Sequence, residues 1–151
     1  MEIVVNEWLL EYLRPDAQES DKIDAIKFLN IFLKKRDRLV IKISSPFVDK
    51  FHRFMKQFGS DTGFKKNFSK LHQILFRDAD RTAIAYESEL QAIPEDIATL
   101  IPPDDKYLVE LWCANKDRII LTTDSKLKDK LKCVPGLNIC LLPDFLKEYC
   151  V

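Results

Sequence analysis

Glycine is scarce in this chain, with three in 151 residues. That scarcity excludes the glycine-rich phosphate loops, both G-x-G-x-x-G and the P-loop. The four cysteines (Cys113, Cys133, Cys140, Cys150) form no C-x-x-C pair, and the two histidines, His52 and His72, lie far from them in sequence. A structural zinc site and a disulfide framework are both disfavoured, and reduced thiols in a cytoplasmic setting fit better. Net charge is also lacking: 24 basic side chains balance 24 acidic ones. No global positive field is available for nucleic acid, so any such binding needs a local patch. No apolar run approaches the roughly 20 residues needed to span a bilayer. The start, "MEIVVNEWLLEYL", lacks a basic region and a cleavage site, so no signal peptide and no membrane association are expected.

What is present is apolar material for one core: 46% of residues are hydrophobic and 32% charged. One domain over residues 1–151 is expected. "EIVV" reads as a first strand with Asn6 at its end, and "EWLLEYL" as a helix stopped by Pro15. "DKIDAIKFLNIFLKKRD" follows as a helix capped by Ser20 or Asp21, its buried stripe formed by Ile23, Ile26, Leu29 and Phe32 or Leu33. "RLVIKIS" is a second strand. Ser45 and Pro46 open a phenylalanine-rich helix that ends at Gly59, and "DTGFKKNFSKLHQILFRD" reads as another. "RTAIAYES" is a third strand, and a proline-bearing loop then leads to the helix "DDKYLVELWCANK". "RIILTTD", "SKLKDKL", "LNICLLP" and "DFLKEYC" complete the alternation as strand, helix, strand, helix. This order predicts a three-layer α/β/α fold with a mostly parallel central sheet of about five strands.

In such sheets ligands bind beyond the C-terminal strand ends. Asn6, Asp124 and the Asp104–Asp105 pair at the start of the preceding helix fall there. Clustered carboxylates offer hard oxygen ligands for Mg²⁺ or Mn²⁺. Each residue also has a plainer role open to it. Asp104 or Asp105 would cap one helix and Asp124 the next, and Asn6 would bond to backbone at its turn.

The stretch "DDKYLVELWCANKDRIILTTDSKL" resembles the C-terminal half of a PIN domain, with an Asp opening a helix and a strand ending in Thr-x-Asp. Asp105 and Asp124 are 19 residues apart, close to that pattern. "EIVVNEWLLEYL" is similar to the family's opening strand and helix. The small prokaryotic toxin–antitoxin type PIN proteins look most alike. The resemblance implies a metal-dependent ribonuclease using Mg²⁺ or Mn²⁺, with RNA as substrate, an antitoxin protein as partner and a homodimer built on the "NIFL" or "FHRFM" faces. Carried over, Asp104, Asp105, Asp124 and Asn6 hold metal, and Asp105, Asp124 and Asn6 serve catalysis. Asn6 stands where the family has an Asp. The helix after strand two offers Asp49, Lys50 and Phe51 where a Glu is usual, and Lys50 would repel a cation if it pointed inward. Glu7 is a candidate substitute. The alternative is a degenerate PIN-like module that binds RNA or protein without cleavage.

Two further features are open to more than one reading. Lys65, Lys66 and Lys70 with Phe64 and Phe68 form either an RNA-facing helix or a basic face over core aromatics. Lys34, Lys35, Arg36 and Arg38 read as a helix C-terminal cluster, Trp112 and Cys113 as core.

Overall fold

The computed structural model describes residues 1–150. Five strands form one sheet: β1 (Glu2–Val5), β2 (Arg38–Lys42), β3 (Thr82–Ala85), β4 (Ile119–Thr122) and β5 (Ile139–Leu141). Their order is β3-β2-β1-β4-β5, and all four pairings are parallel. The sheet is thus wholly parallel rather than mostly so. Every described connection includes a helix, and a βαβ crossover returns each strand in the same direction.

The helices are α1 (Trp8–Tyr12), α2 (Glu19–Lys35), α3 (Pro46–Phe58), α4 (Thr62–Arg77), α5 (Glu95–Ala98), α6 (Lys106–Ala114), α7 (Ser125–Lys130) and α8 (Leu142–Tyr149). The chain leaves β1 through β2 and β3 toward one edge, then crosses back to β4 and β5 on the other side. Right-handed crossovers therefore put α1–α4 on one face and α6 and α7 on the opposite one. The result is the expected three-layer arrangement. Inward β-branched and leucine side chains, among them Ile3, Leu39, Ile120 and Leu121, are fully buried on the sheet. Such strands, covered on both faces, read as continuous apolar runs.

The helix over residues 19–35 buries Leu29 and Phe32 as expected, with Ile26 partly buried against the core, but the stripe is rotated away from Ile23 and Leu33. Ala25, Phe28, Leu29 and Phe32 face the core, Ile23 is 57% exposed, and Leu33 lies at the surface. Phe28 sets that rotation: it packs on Trp8 of α1 and on Phe145 and Tyr149 of α8. Neither Ser20 nor Asp21 caps this helix; its N-cap is Gln18, with no side-chain bond. The loop after β3 carries a 3₁₀ turn at Glu87–Glu89 and the short α5 rather than being structureless. Phe64 and Phe68 are core residues, stacked on each other and on Phe51. They do not face RNA. In the suggested dimer faces, Phe32, Phe51 and Phe54 are buried, which leaves little contiguous apolar surface there. Trp112 is buried, while Cys113 is only half-buried against the core. No helix among the described residues is long and apolar enough to cross a membrane.

Candidate functional site

The strand order reverses direction between β1 and β4, and the crevice beyond their C-terminal ends is where an open α/β sheet binds its ligand. Val4 pairs with Val40 on one side and Ile120 on the other. Two residues further along, the same register sets Lys42, Asn6 and Thr122 side by side on one face, because side chains alternate along a strand. All three are buried polar residues, with Asn6 9% exposed and Thr122 not at all.

Asn6 is held from two directions. Trp8, in the first turn of α1, donates its indole N–H to the Leu121 carbonyl at 2.8 Å and pins the β1–α1 turn against β4. The Asn6 side chain donates Nδ2–H to Thr122 Oγ1 at 3.2 Å. Asn6 therefore does not bond to backbone through its side chain, as its position at a turn suggested. Its Oδ1 is buried with no hydrogen-bond partner among the described residues. An unpaired buried acceptor costs about 1–3 kcal/mol.

The acids reach the crevice from three elements. Glu7 follows Asn6, and its Oε2 accepts from the buried Tyr107 hydroxyl at 3.2 Å. Asp104 and Asp105 lie in a 3₁₀ turn that leads into α6. Asp105 occupies the N-cap of α6 but makes no side-chain capping bond, and Asp104 makes none in its turn either. The capping role expected for this pair is not filled; the 3₁₀ turn, closed by Asp105 N–H to the Pro102 carbonyl, starts the helix instead. Asp124 does cap: its Oδ1 accepts from Lys126 N–H at 3.0 Å and Leu127 N–H at 3.1 Å. Its Oδ2 has no protein donor among the described residues.

Burial pushes the Asp105 carboxyl above its ordinary range, and the charges of Glu7, Asp124 and Asp104 push it further, with Lys130 opposing. That ordering identifies the acids as electrostatic neighbours. The Tyr107 phenol is likewise held well above its ordinary value, by burial first and then by Glu7.

The helix after β2 contributes no acid. Asp49 is exposed, as expected of a surface residue. Lys50 does not project toward the acids as a free charge: its Nζ is 2.7 Å from Glu11 Oε1 on α1. Burial raises the Glu11 carboxyl, but Lys50 and Arg14 outweigh it and hold it below its usual range. Sequence reasoning missed Lys42. Its ammonium, nearly buried, bonds Glu110 Oε2 of α6 at 3.0 Å and also meets Glu87. A lysine ending an otherwise apolar strand was the available signal. Its partners are 45 and 68 residues away, so no local pattern announces them.

Among the described residues, no three carboxylate, imidazole or thiol side chains converge tightly enough to form a ready ion cage. Mg²⁺ does not need one. It retains several waters and commonly takes only one or two carboxylates. The oxygen set here, the orphaned Asn6 Oδ1 with carboxylates from Asp105 and Asp124, fits that habit in kind. Family models, curated proteins and solved structures were each compared with the chain, and none matches.

Proposed function

We propose that the chain is a PIN-like, metal-dependent ribonuclease whose site lies in the β1–β4 crevice. The observation that carries this reading is Asp105. It is a half-buried acid, crowded by three others, at a helix start where it does no capping. Crowding four carboxylates around one burial site costs stability unless a cation relieves it.

Asn6 Oδ1, Asp105 and Asp124 would hold Mg²⁺ or Mn²⁺, with Asp104 and Glu7 adding charge at the rim. The bound ion supplies an acidified water and charge stabilisation for a phosphodiester. Thr122 fixes the Asn6 amide so that Nδ2 points into the fold and Oδ1 is left for a ligand. Tyr107 orients Glu7 through its hydroxyl. A bound cation would offset the crowding of charge at Asp105.

The only acid of α3, Asp49, is exposed and adds nothing to the crevice, which favours a second reading, the degenerate module that keeps the fold and binds RNA or protein. Calorimetric titration with Mn²⁺ separates the two. Wild type should bind saturably, and Asp124→Asn should lose both binding and RNA cleavage while keeping its Tm, because Asn also caps helices well. No heat of binding at millimolar Mn²⁺ would overturn the nuclease reading in favour of the module.

A further inference from the structure

The chain is neutral, but its charge is not evenly spread. Residues 46–77, the α3–α4 hairpin, carry seven Lys or Arg against two Asp and no Glu. That leaves 17 basic and 22 acidic side chains elsewhere, so the hairpin is +5 on a body of −5. The six cations Arg53, Lys56, Lys65, Lys66, Lys70 and Arg77 are all exposed. None of the six is paired with a carboxylate among the described residues. Elsewhere pairing is common: Arg14, Arg38, Lys42, Arg118, Lys132 and Lys147 each meet one.

Their arrangement is equally one-sided. Lys66, Lys70, Gln73 and Arg77 recur at the i, i+4, i+7, i+11 spacing of a single helix face. Like charges four apart on a helix are mildly destabilising, so the fold tolerates a cost there. Beside this stripe runs a groove of about 400 Å³ between the two helices, lined by Met55 of α3 and by Ser69, His72, Gln73 and Arg77 of α4. His52, exposed on α3, stacks on Phe76 at its margin. The surface thus combines unpaired cations, hydrogen-bonding side chains and flat rings. That combination suits single-stranded nucleic acid, which offers phosphates to the first and bases to the others. An acidic protein would use the charges and leave the rings and amides without purpose.

We infer that the outer face of the α3–α4 hairpin is a single-stranded nucleic-acid binding surface. It shares a ligand class with the proposed nuclease site but uses none of its residues and needs no metal.

The test is anisotropy of a fluorescein-labelled 20-nucleotide oligouridylate in EDTA over a range of salt. Wild type is compared with K66Q/K70Q/R77Q and with K27Q/K34Q/K147Q, which removes equal charge from other surfaces. The hairpin triple should weaken binding at least tenfold. It should also flatten the slope of log K against log salt by about two, the loss of three contacts at about 0.7 each. The control triple should stay within about twofold of wild type, the scale of a screened, distant charge effect. Equal losses in the two triples, or none in the hairpin triple, would overturn the inference. So would failure of wild type to bind the oligonucleotide while it binds polyglutamate with the same salt slope, which would assign the face to an acidic protein. Because EDTA removes divalent ions, loss of the Mn²⁺ site would leave these expectations unchanged.

Discussion

Asp105 concentrates the chemistry of the site in one carboxyl. Its proton is held more tightly in the fold than in the unfolded chain, by burial and by three acidic neighbours. The folded state alone bears the crowding, which disfavours the ionised form there. Stability from this group therefore falls as pH rises from the ordinary carboxylate range through the raised folded value. Asp105→Asn should raise Tm at pH 7 in metal-free buffer. The gain should vanish at a pH below the ordinary carboxylate range, where the wild-type group is protonated in both states. A Tm lowered by the substitution at neutral pH would mean that the carboxylate is stabilised in the fold. At this scale the sequence was informative where a residue's partners are local. Asp124 caps α7 as "TTDSKL" suggested, through amides two and three residues away. It was silent where partners are distant: Glu7 depends on Tyr107, and Asn6 on Thr122, across 100 residues or more.

At the scale of elements, the α3–α4 connection was the most readable part of the chain. Ser45 caps α3 by accepting from Val48 N–H, Pro46 follows it, Asp61 caps α4, and Gly59 closes α3 as expected. Gly59 does so without a left-handed backbone: its φ is −62°. What requires glycine is close approach, since a Cβ there would sit 2.4 Å from the Met55 carbonyl oxygen. Gly63, in the first turn of α4, has no such neighbour; its nearest contact would be 3.6 Å away. The two alanine substitutions should therefore differ in sign. Gly59→Ala should cost about 1–3 kcal/mol as an overpacking change, and Gly63→Ala should gain about 0.5–1 kcal/mol by stiffening the unfolded chain. Urea denaturation of the pair measures both, and equal effects would show that the approach at Gly59 relaxes freely. The one wrong member of the α2 stripe, Ile23, has the opposite lesson. Ile23 is apolar and correctly spaced, yet three aromatic partners on α1 and α8 decide which face turns inward.

Across the whole molecule, the alternation of strands and helices implied an α/β sheet, but strand order was not legible, because the same alternation is compatible with several orders. Long-range ties close the order observed. Tyr149, in the last turn of α8, donates its hydroxyl to the buried Asp37 that precedes β2, and Asp37 also accepts from the Met1 amino group at 2.9 Å. Burial and then Asp37 drive the Tyr149 phenol far above its ordinary range, so the bond persists at any moderate pH. Tyr149→Phe should cost about 1.5–3 kcal/mol, the usual worth of a hydrogen bond to a charged group. The loss should appear as a lower urea midpoint with an unchanged slope; an unchanged midpoint would mean that α8 is held by its aromatic packing alone.

The uneven charge of the hairpin has a kinetic side. A molecule of zero net charge whose cations are concentrated on one hairpin is turned by a polyanion before it touches one, and arrives with that hairpin leading. Its encounter rate then depends on ionic strength as a cationic protein's would, while its total charge gives no hint of it.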